Sequence, residues 1–241
     1  MAIYFSNFEK TLPHHEMIFV EGGEFGMGGS DAEARDNEKP IHRVQVSSFY
    51  MGKYPVTQAL WQAVMGNNPS EFKGKNRPVE KVSWTNAKTF IQKLNEKSGK
   101  TYRLPTEAEW EFAARGGIYS QGYLYAGSDK LKEVGWYDEN SENKTHPVGQ
   151  KLPNELGIYD LSGNIWEWCE DDWHNNYIDA PTDGSAWVSS ENRGSDRVFR
   201  GGSWGSTPDR CRIAFRLSIS PVLRDPYLGF RLAMSAPSGE E

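Results

Sequence analysis

The chain has 241 residues, a quarter of them charged, and a formal net charge of -6. Because it lacks a cluster of lysine and arginine, we expect no nucleic-acid partner. We also expect no membrane insertion, because no apolar run approaches the roughly 20 residues of a spanning helix. The length suits one large domain or two small ones. The first ten residues show no basic segment followed by an apolar one, so no signal peptide is visible.

The first fifty residues carry β patterns. Met17 to Met27 is predicted to be a hairpin that turns at Gly22-Gly23. Ser30 to Pro40 is charged and is predicted to be an exposed loop. Val44 to Tyr50 alternates and is rich in β-branched residues, which predicts a further strand.

Three helices are predicted next. Thr57 caps the first, which ends at Gly66 and buries one face made of Leu60, Trp61, Val64 and Met65. The second begins near Ser83 and ends at Gly99, with Phe90, Ile91 and Leu94 buried. Thr106 and Glu109 form the capping box of the third, which ends at Gly116. Short strands and turns follow, so the fold class is α+β.

The segment from Gly205 to Tyr227 has an unusual composition. It contains no Lys, Glu, Gln, Met or Trp, although these types are common in most chains. Each residue type that is present either can arise when the adenines of an AAC asparagine codon are replaced, or stands at a position that is expected not to vary. An ordinary glycine-rich loop and strand with a biased composition is the alternative.

Motifs on both sides of this segment carry a resemblance. RVFRGGSW at 197–204, CR-x-A-x-R at 211–216 and LGFRL at 228–232 resemble the variable region of proteins that are diversified by retroelements. The resemblance places a variable region at about 197–232. It implies the following variable, ligand-binding positions: Gly205, Ser206, Thr207, Arg210, Ile213, Phe215, Leu217, Ser218, Ile219, Val222, Leu223, Arg224 and Tyr227.

The rest of the chain resembles the formylglycine-generating-enzyme (sulfatase-modifying) superfamily. The resemblance rests on MIFVEGGEFGMG at 17–28, YPVT at 54–57, RLPTEAEWEFAAR at 103–115, DLSGNIWEW at 160–168 and RGGS at 200–203. It implies an elaborated C-type lectin fold. We therefore predict an N-terminal extension over 1–16 and a single domain over 17–241.

The enzymes of this superfamily that make formylglycine use two cysteines, spaced five apart, to bind copper. The second position here is Cys211, but the first is Ser206, and a hydroxyl is not a soft ligand for copper. We expect no copper. Iron-dependent relatives need clustered histidines, and we expect no iron because only the first two of the five histidines are neighbours in sequence: His14, His15, His42, His146 and His174. We predict surface histidines and two buried thiols, Cys169 and Cys211, although a bridge between them stays open.

A calcium site is expected in the DLSGNIWEW segment. Carboxylates with intervening backbone carbonyls suit Ca²⁺, and the resemblance implies a structural calcium held around Asp160, Gly163, Ile165 and Glu167. The alternative is that Asp160 and Glu167 only cap turns and accept bonds from backbone amides.

The segment from Cys211 to Leu217 alternates as a strand would. If this segment belongs to a diversified binding surface, the side chains of Ile213, Phe215 and Leu217 are expected to be exposed. Arg212 and Arg216 are then expected to face inward and to bond to the scaffold. Periodicity alone favours the opposite, an apolar core face.

The sequence thus predicts a non-enzymatic, monomeric binding protein whose variable region contacts a protein or cell-surface ligand. Such a role favours a cell-surface or extracellular location if a leader was removed, and a cytoplasmic one otherwise. The alternatives are a formylglycine-generating-like metal-dependent oxidoreductase, a degenerate relative of one, and a purely structural module.

Overall fold

The computed structural model describes residues 12–13, 15–30, 33–189 and 196–237. Most of the predicted N-terminal extension, residues 1–11 and His14, lies outside the described residues. The described chain forms three small sheets with four α-helices packed around them. The predicted α+β class is confirmed.

The predicted N-terminal hairpin is wrong. Strand β1 (Met17–Val20) pairs with β4 (Phe49–Gly52), whereas β2 (Gly23–Met27) pairs with β3 (His42–Val46) in a separate two-stranded sheet. The chain passes between the sheets at Gly22, where a Cβ would lie 2.5 Å from the Val46 carbonyl oxygen. The single strand predicted over 44–50 is likewise two strands, in different sheets.

The first sheet joins the two ends of the domain. Its order is β1-β4-β9, with β9 (Ala233–Ser235) antiparallel to β4. Gly52 reinforces this junction by donating its N–H to the Leu232 carbonyl at 2.8 Å. The last strand of the domain thereby follows directly from the LGFRL motif.

Three of the four strands of the third sheet come from the predicted variable region. Its order is β7-β6-β5-β8, made of β5 (Trp166–Asp172), β6 (Arg197–Arg200), β7 (Arg216–Ile219) and β8 (Leu228–Gly229). Strand β8 lies parallel to β5, and the other pairs are antiparallel.

All three predicted helices are confirmed, together with their N-caps, although the third ends at Ala114, two residues before the predicted Gly116. Helix α1 (Gln58–Met65) begins after Thr57, α2 (Trp84–Ser98) after Ser83 and α3 (Glu107–Ala114) after Thr106. Capping boxes open α2 and α3. A short helix α4 (Leu131–Val134) was not predicted. No helix among the described residues is long and apolar enough to cross a membrane.

The core has two main parts. Helices α1 and α2 cover one face of the third sheet, where Trp61 stacks on Phe90 with ring centroids 5.1 Å apart. Helix α3 lies buried over its whole length in the second part. Because α3 carries Glu107 and Glu111 into the interior, these carboxylates require buried partners.

Candidate functional site

Buried arginines tie the variable region to the scaffold. Arg216 donates to both carboxylate oxygens of Glu107, at 2.7 and 2.6 Å. Arg212 makes the same two-pronged contact with Glu38, at 2.9 and 2.8 Å. The expectation that Arg212 and Arg216 face inward is confirmed. Glu38 itself is fully buried, so the prediction of a wholly exposed loop over 30–40 is wrong at this position.

Arg200 fixes the backbone of the variable region between these contacts. It donates to the carbonyls of Ile213 at 3.0 Å and Ala214 at 3.1 Å, and it contacts Glu107 and Glu111. Burial alone would raise the pKa of Glu111, but the nearby arginine guanidiniums hold it below its ordinary value. The backbone at 213–214 is therefore held by a charged group that belongs to the RGGS motif, outside the predicted variable positions.

The predicted display of Ile213 and Phe215 is wrong. Their side chains are only 3% and 0% exposed. The segment is not a continuous strand: Pro208–Cys211 forms a 3₁₀ turn, a second turn follows, and β7 begins only at Arg216. Turns abolish the two-residue alternation on which the prediction depended, so apolar and arginine side chains are both buried.

Other predicted positions meet around one concave surface, which we call the variable cavity. Its volume is about 350 Å³, and its lining residues are Trp166, Phe199, Ser203, Gly205, Ser206, Arg210, Leu217, Ile219, Asp225, Tyr227 and Leu228. Six of the thirteen predicted variable positions belong to this lining. Their binding role stays a prediction.

The remaining predicted positions lie outside the lining. Thr207, Val222, Leu223 and Arg224 are exposed, and Ser218 is half-buried on β7. Ser206 lines the cavity but is itself buried, because its Oγ accepts the Ser203 N–H at 3.0 Å and lies 3.0 Å from the Ser203 Oγ.

Sequence reasoning missed the floor of the variable cavity. Trp166 and Phe199 pack edge to face, with centroids 5.1 Å apart. Trp166 lies two positions before Trp168 on β5, and this spacing places both rings on one face of a strand. That spacing is a sequence signal for an apolar sheet face. The glutamates at positions 107 and 111, one helical turn apart, are the corresponding signal for the buried arginine network.

The two cysteines are not bridged to each other. Both Cys169 and Cys211 are free and buried, which confirms the predicted buried thiols. Burial raises the pKa of the Cys211 thiol well above its ordinary range, so the neutral thiol is favoured at this site. The hydroxyl of Ser206 occupies the other position of the motif.

In the predicted calcium segment, the carboxylates of Asp160 and Glu167 accept hydrogen bonds from other protein groups. Arg231 donates to both oxygens of Glu167, at 2.6 and 2.7 Å, and the Trp110 indole donates at 2.8 Å. Asp160 accepts the Gly149 N–H at 2.8 Å, and burial raises its pKa to about 6. A carboxylate that faces a guanidinium does not suit a divalent cation, so Glu167 as it is bonded here does not fit calcium.

The other two predicted positions, Gly163 and Ile165, are tightly packed. At Gly163 a Cβ would clash with the backbone of Trp136, and Ile165 is fully buried. The described residues contain no group of three or more His, Cys, Asp or Glu side chains that could hold a metal.

The four described histidines are all half-buried, so they are less exposed than the predicted surface histidines. His146 stacks on Trp136 at 3.8 Å and His174 on Trp187 at 3.6 Å. His15 lies 2.8 Å from the Tyr102 hydroxyl, and both ring nitrogens of His42 are buried.

Comparison with solved structures supports the fold. Treponema denticola variable protein 1 superposes with a TM-score of 0.82 and 33% identity, covering 92% of this chain and 95% of that one. PvdO from Pseudomonas aeruginosa superposes with a TM-score of 0.80 and 29% identity, covering 91% and 94%. The predicted elaborated C-type lectin fold and the resemblance to variable proteins are confirmed.

Curated relatives carry different activities in their names. The chaperone protein LppX of Paenibacillus barcinonensis is 36% identical over 276 aligned positions, which cover 94% of this chain and 91% of LppX. The formylglycine-generating enzyme of Streptomyces coelicolor is 31% identical, covering 91% of this chain and 89% of the enzyme. The Sulfatase-modifying factor enzyme 1-like domain matches residues 4–236. The chain therefore belongs to this sulfatase-modifying factor family.

Proposed function

We propose that this chain is a non-enzymatic binding protein and that the variable cavity is its ligand-binding surface. One observation carries the proposal: six positions with variable-region character line a single cavity, while buried arginines of the same region bond the backbone at 213–214 and the carboxylates of the scaffold. A surface can change in sequence without loss of the fold only if other residues fix its backbone. Arg200, Arg212 and Arg216 supply that constraint here.

The mixed chemistry of the surface favours a protein or cell-surface ligand. Aliphatic and aromatic side chains lie beside arginine and serine, a combination typical of protein interfaces. The similarity to a protein named variable protein 1 supports the same role. Binding of this kind suits a monomer at the cell surface or outside the cell.

The binding role is tested with two libraries displayed on yeast. The first randomises Thr207, Arg210, Leu217, Ile219 and Tyr227. The control library randomises an equal number of exposed apolar positions elsewhere: Phe19, Ile118, Tyr119, Leu152 and Ile178. After selection against purified soluble proteins, we expect binders from the first library alone. Equal yields from both, or binders from the control alone, would contradict the proposal.

A formylglycine-generating-like oxidoreductase is the second candidate, favoured by the 31% identity to the Streptomyces coelicolor enzyme. Ser206 and the raised pKa of Cys211 oppose it. The test is incubation with copper, oxygen, a reductant and a cysteine-containing sulfatase peptide, with that enzyme as positive control. We expect no aldehyde on the peptide. Aldehyde formation above a no-protein blank would refute the non-enzymatic role.

A further inference from the structure

We infer that the ligand of this chain is a protein segment that places a large apolar side chain in the variable cavity and a carboxylate at its rim. The inference rests on the proposed binding function and deepens it by naming the chemistry of the partner. It follows from three properties of the cavity: an aromatic floor made of residues outside the predicted variable positions, a rigid aromatic wall, and exposed arginines that pair with no described residue.

The floor does not depend on the variable residues. Trp166 and Phe199 lie outside the predicted variable positions, on β5 and β6. The backbone of the sheet fixes their edge-to-face contact. The backbone N–H of Trp166 donates to the Tyr227 carbonyl at 2.7 Å, and Phe199 pairs with Leu217 across β6 and β7. An apolar floor held in this way selects an apolar anchor from any partner.

The wall is also preorganised. Tyr227 stacks on Trp204 with ring centroids 4.3 Å apart, and Phe72 packs edge to face behind Trp204 at 5.3 Å. Leu217 and Ile219 project from β7 and are half-buried. A Cβ at Gly205 would lie 2.5 Å from the Tyr227 ring, so glycine keeps this side of the cavity wide. Rigid aromatic walls reduce the entropy lost on binding.

Two exposed arginines, Arg210 and Arg224, lie at or beside the rim, together with one aspartate, Asp225. Arg210 lines the cavity and is exposed, and its guanidinium has no hydrogen-bond or ion-pair partner within the described ranges. Arg224 is exposed in the same way, next to the lining residue Asp225 in the chain. The Asp225 carboxylate accepts the Tyr227 N–H at 2.9 Å, and Asp209 pairs with Arg35 at 3.2 Å.

Arg210 and Asp225 give the lining no net charge, but the Arg210 guanidinium is exposed and unpaired among the described residues, whereas the Asp225 carboxylate is half-buried and accepts a backbone N–H. An exposed guanidinium binds a carboxylate through two parallel hydrogen bonds. The polar capacity of the cavity is otherwise small, because Ser206 and Ser203 bond to each other. This favours an apolar side chain with an acidic neighbour over a sugar, which needs dense polar contacts.

The test uses the whole chain, immobilised, and a random peptide library displayed on phage. We expect enriched peptides to carry Trp, Phe or Leu next to Asp or Glu. Arg210→Glu should weaken their binding about three- to tenfold, and added salt should weaken it too. Lys132→Glu, which makes the same charge change at an exposed position outside the cavity, should leave binding unchanged. Leu217→Asp should abolish binding, with Ile219→Ser as the substitute if Leu217→Asp fails to fold.

If the enriched peptides are neutral or basic but do not bind Leu217→Asp, the inferred carboxylate is wrong, whereas the inferred apolar contact in the cavity stands. Enriched peptides that still bind Leu217→Asp and Ile219→Ser, or no enrichment at all, would overturn the whole inference about the partner. The proposed function is judged separately, by the two yeast libraries, so the two failures are distinguishable.

Discussion

Glu107→Gln tests whether buried charge holds the variable region in place. Glu107 joins helix α3 to two arginines: both of its oxygens accept from Arg216, and one also lies 3.2 Å from Arg200. The glutamine keeps the shape of the side chain but removes its charge and turns an amide donor toward a guanidinium. Arg200 would keep Glu111, whereas Arg216 would lose its charged partner and keep the carbonyls of Asn37 and His174 and at most one amide oxygen at position 107.

The expected loss follows from the burial of this network. The side chains of Arg216 and Glu107 are 0% and 4% exposed, and removing one member of such a pair costs about 3–5 kcal/mol. For a chain of this size, 1 kcal/mol lowers Tm by roughly 2–4 °C. We therefore expect Tm to fall by about 10 °C.

The assay is thermal unfolding followed by circular dichroism, together with a urea titration. The control is Glu24→Gln, which breaks the surface ion pair between Glu24 and Arg43, whose side chains are 50% and 82% exposed. Exposed pairs contribute little, so the control should unfold like the unmodified chain. If Glu107→Gln loses no more stability than Glu24→Gln, the buried network is not what fixes this surface.

Three further predictions concern the scaffold, the metal and pH. Gly201→Val should lower Tm sharply, since Gly201 has a φ of +98° and a Cβ there would lie 3.1 Å from the Trp110 ring. Leu217→Ser, at a predicted variable position, should lower Tm little. Thermal melts in the reverse order would contradict the variable-surface assignment. Chelation with EDTA should leave Tm unchanged because Arg231 engages Glu167, and a lower Tm in EDTA would restore the calcium prediction. Burial raises the pKa of Asp171 to about 7 from an ordinary 3.8. The stability that the protonated Asp171 contributes is therefore complete below about pH 4 and should be lost as pH rises through 7. Urea titrations of Asp171→Asn should show a smaller decline over this range, and an identical decline would reject this assignment.

Local chemistry determined the helices of this protein and the composition of its variable region. The Thr57, Ser83 and Thr106 caps act within one helical turn, and the three helices begin where those side chains predict. The motifs that resemble the family are also local, and they identified the fold. The inward position of Arg212 and Arg216 followed from the same resemblance, although their partners Glu38 and Glu107 did not.

Tertiary structure decided what depends on residues far apart in the chain. The pairing of β1 with β4 instead of β2 is set by the sheet that also receives β9 from the far end of the domain. Phe215 is buried because a 3₁₀ turn and the backbone contacts of Arg200 replace the strand that alternation predicts. The floor of the variable cavity unites Trp166 with Phe199 across neighbouring strands. Hydrophobic and charged contacts of this kind depend on which surfaces meet in the folded chain, and a local sequence pattern does not contain that information.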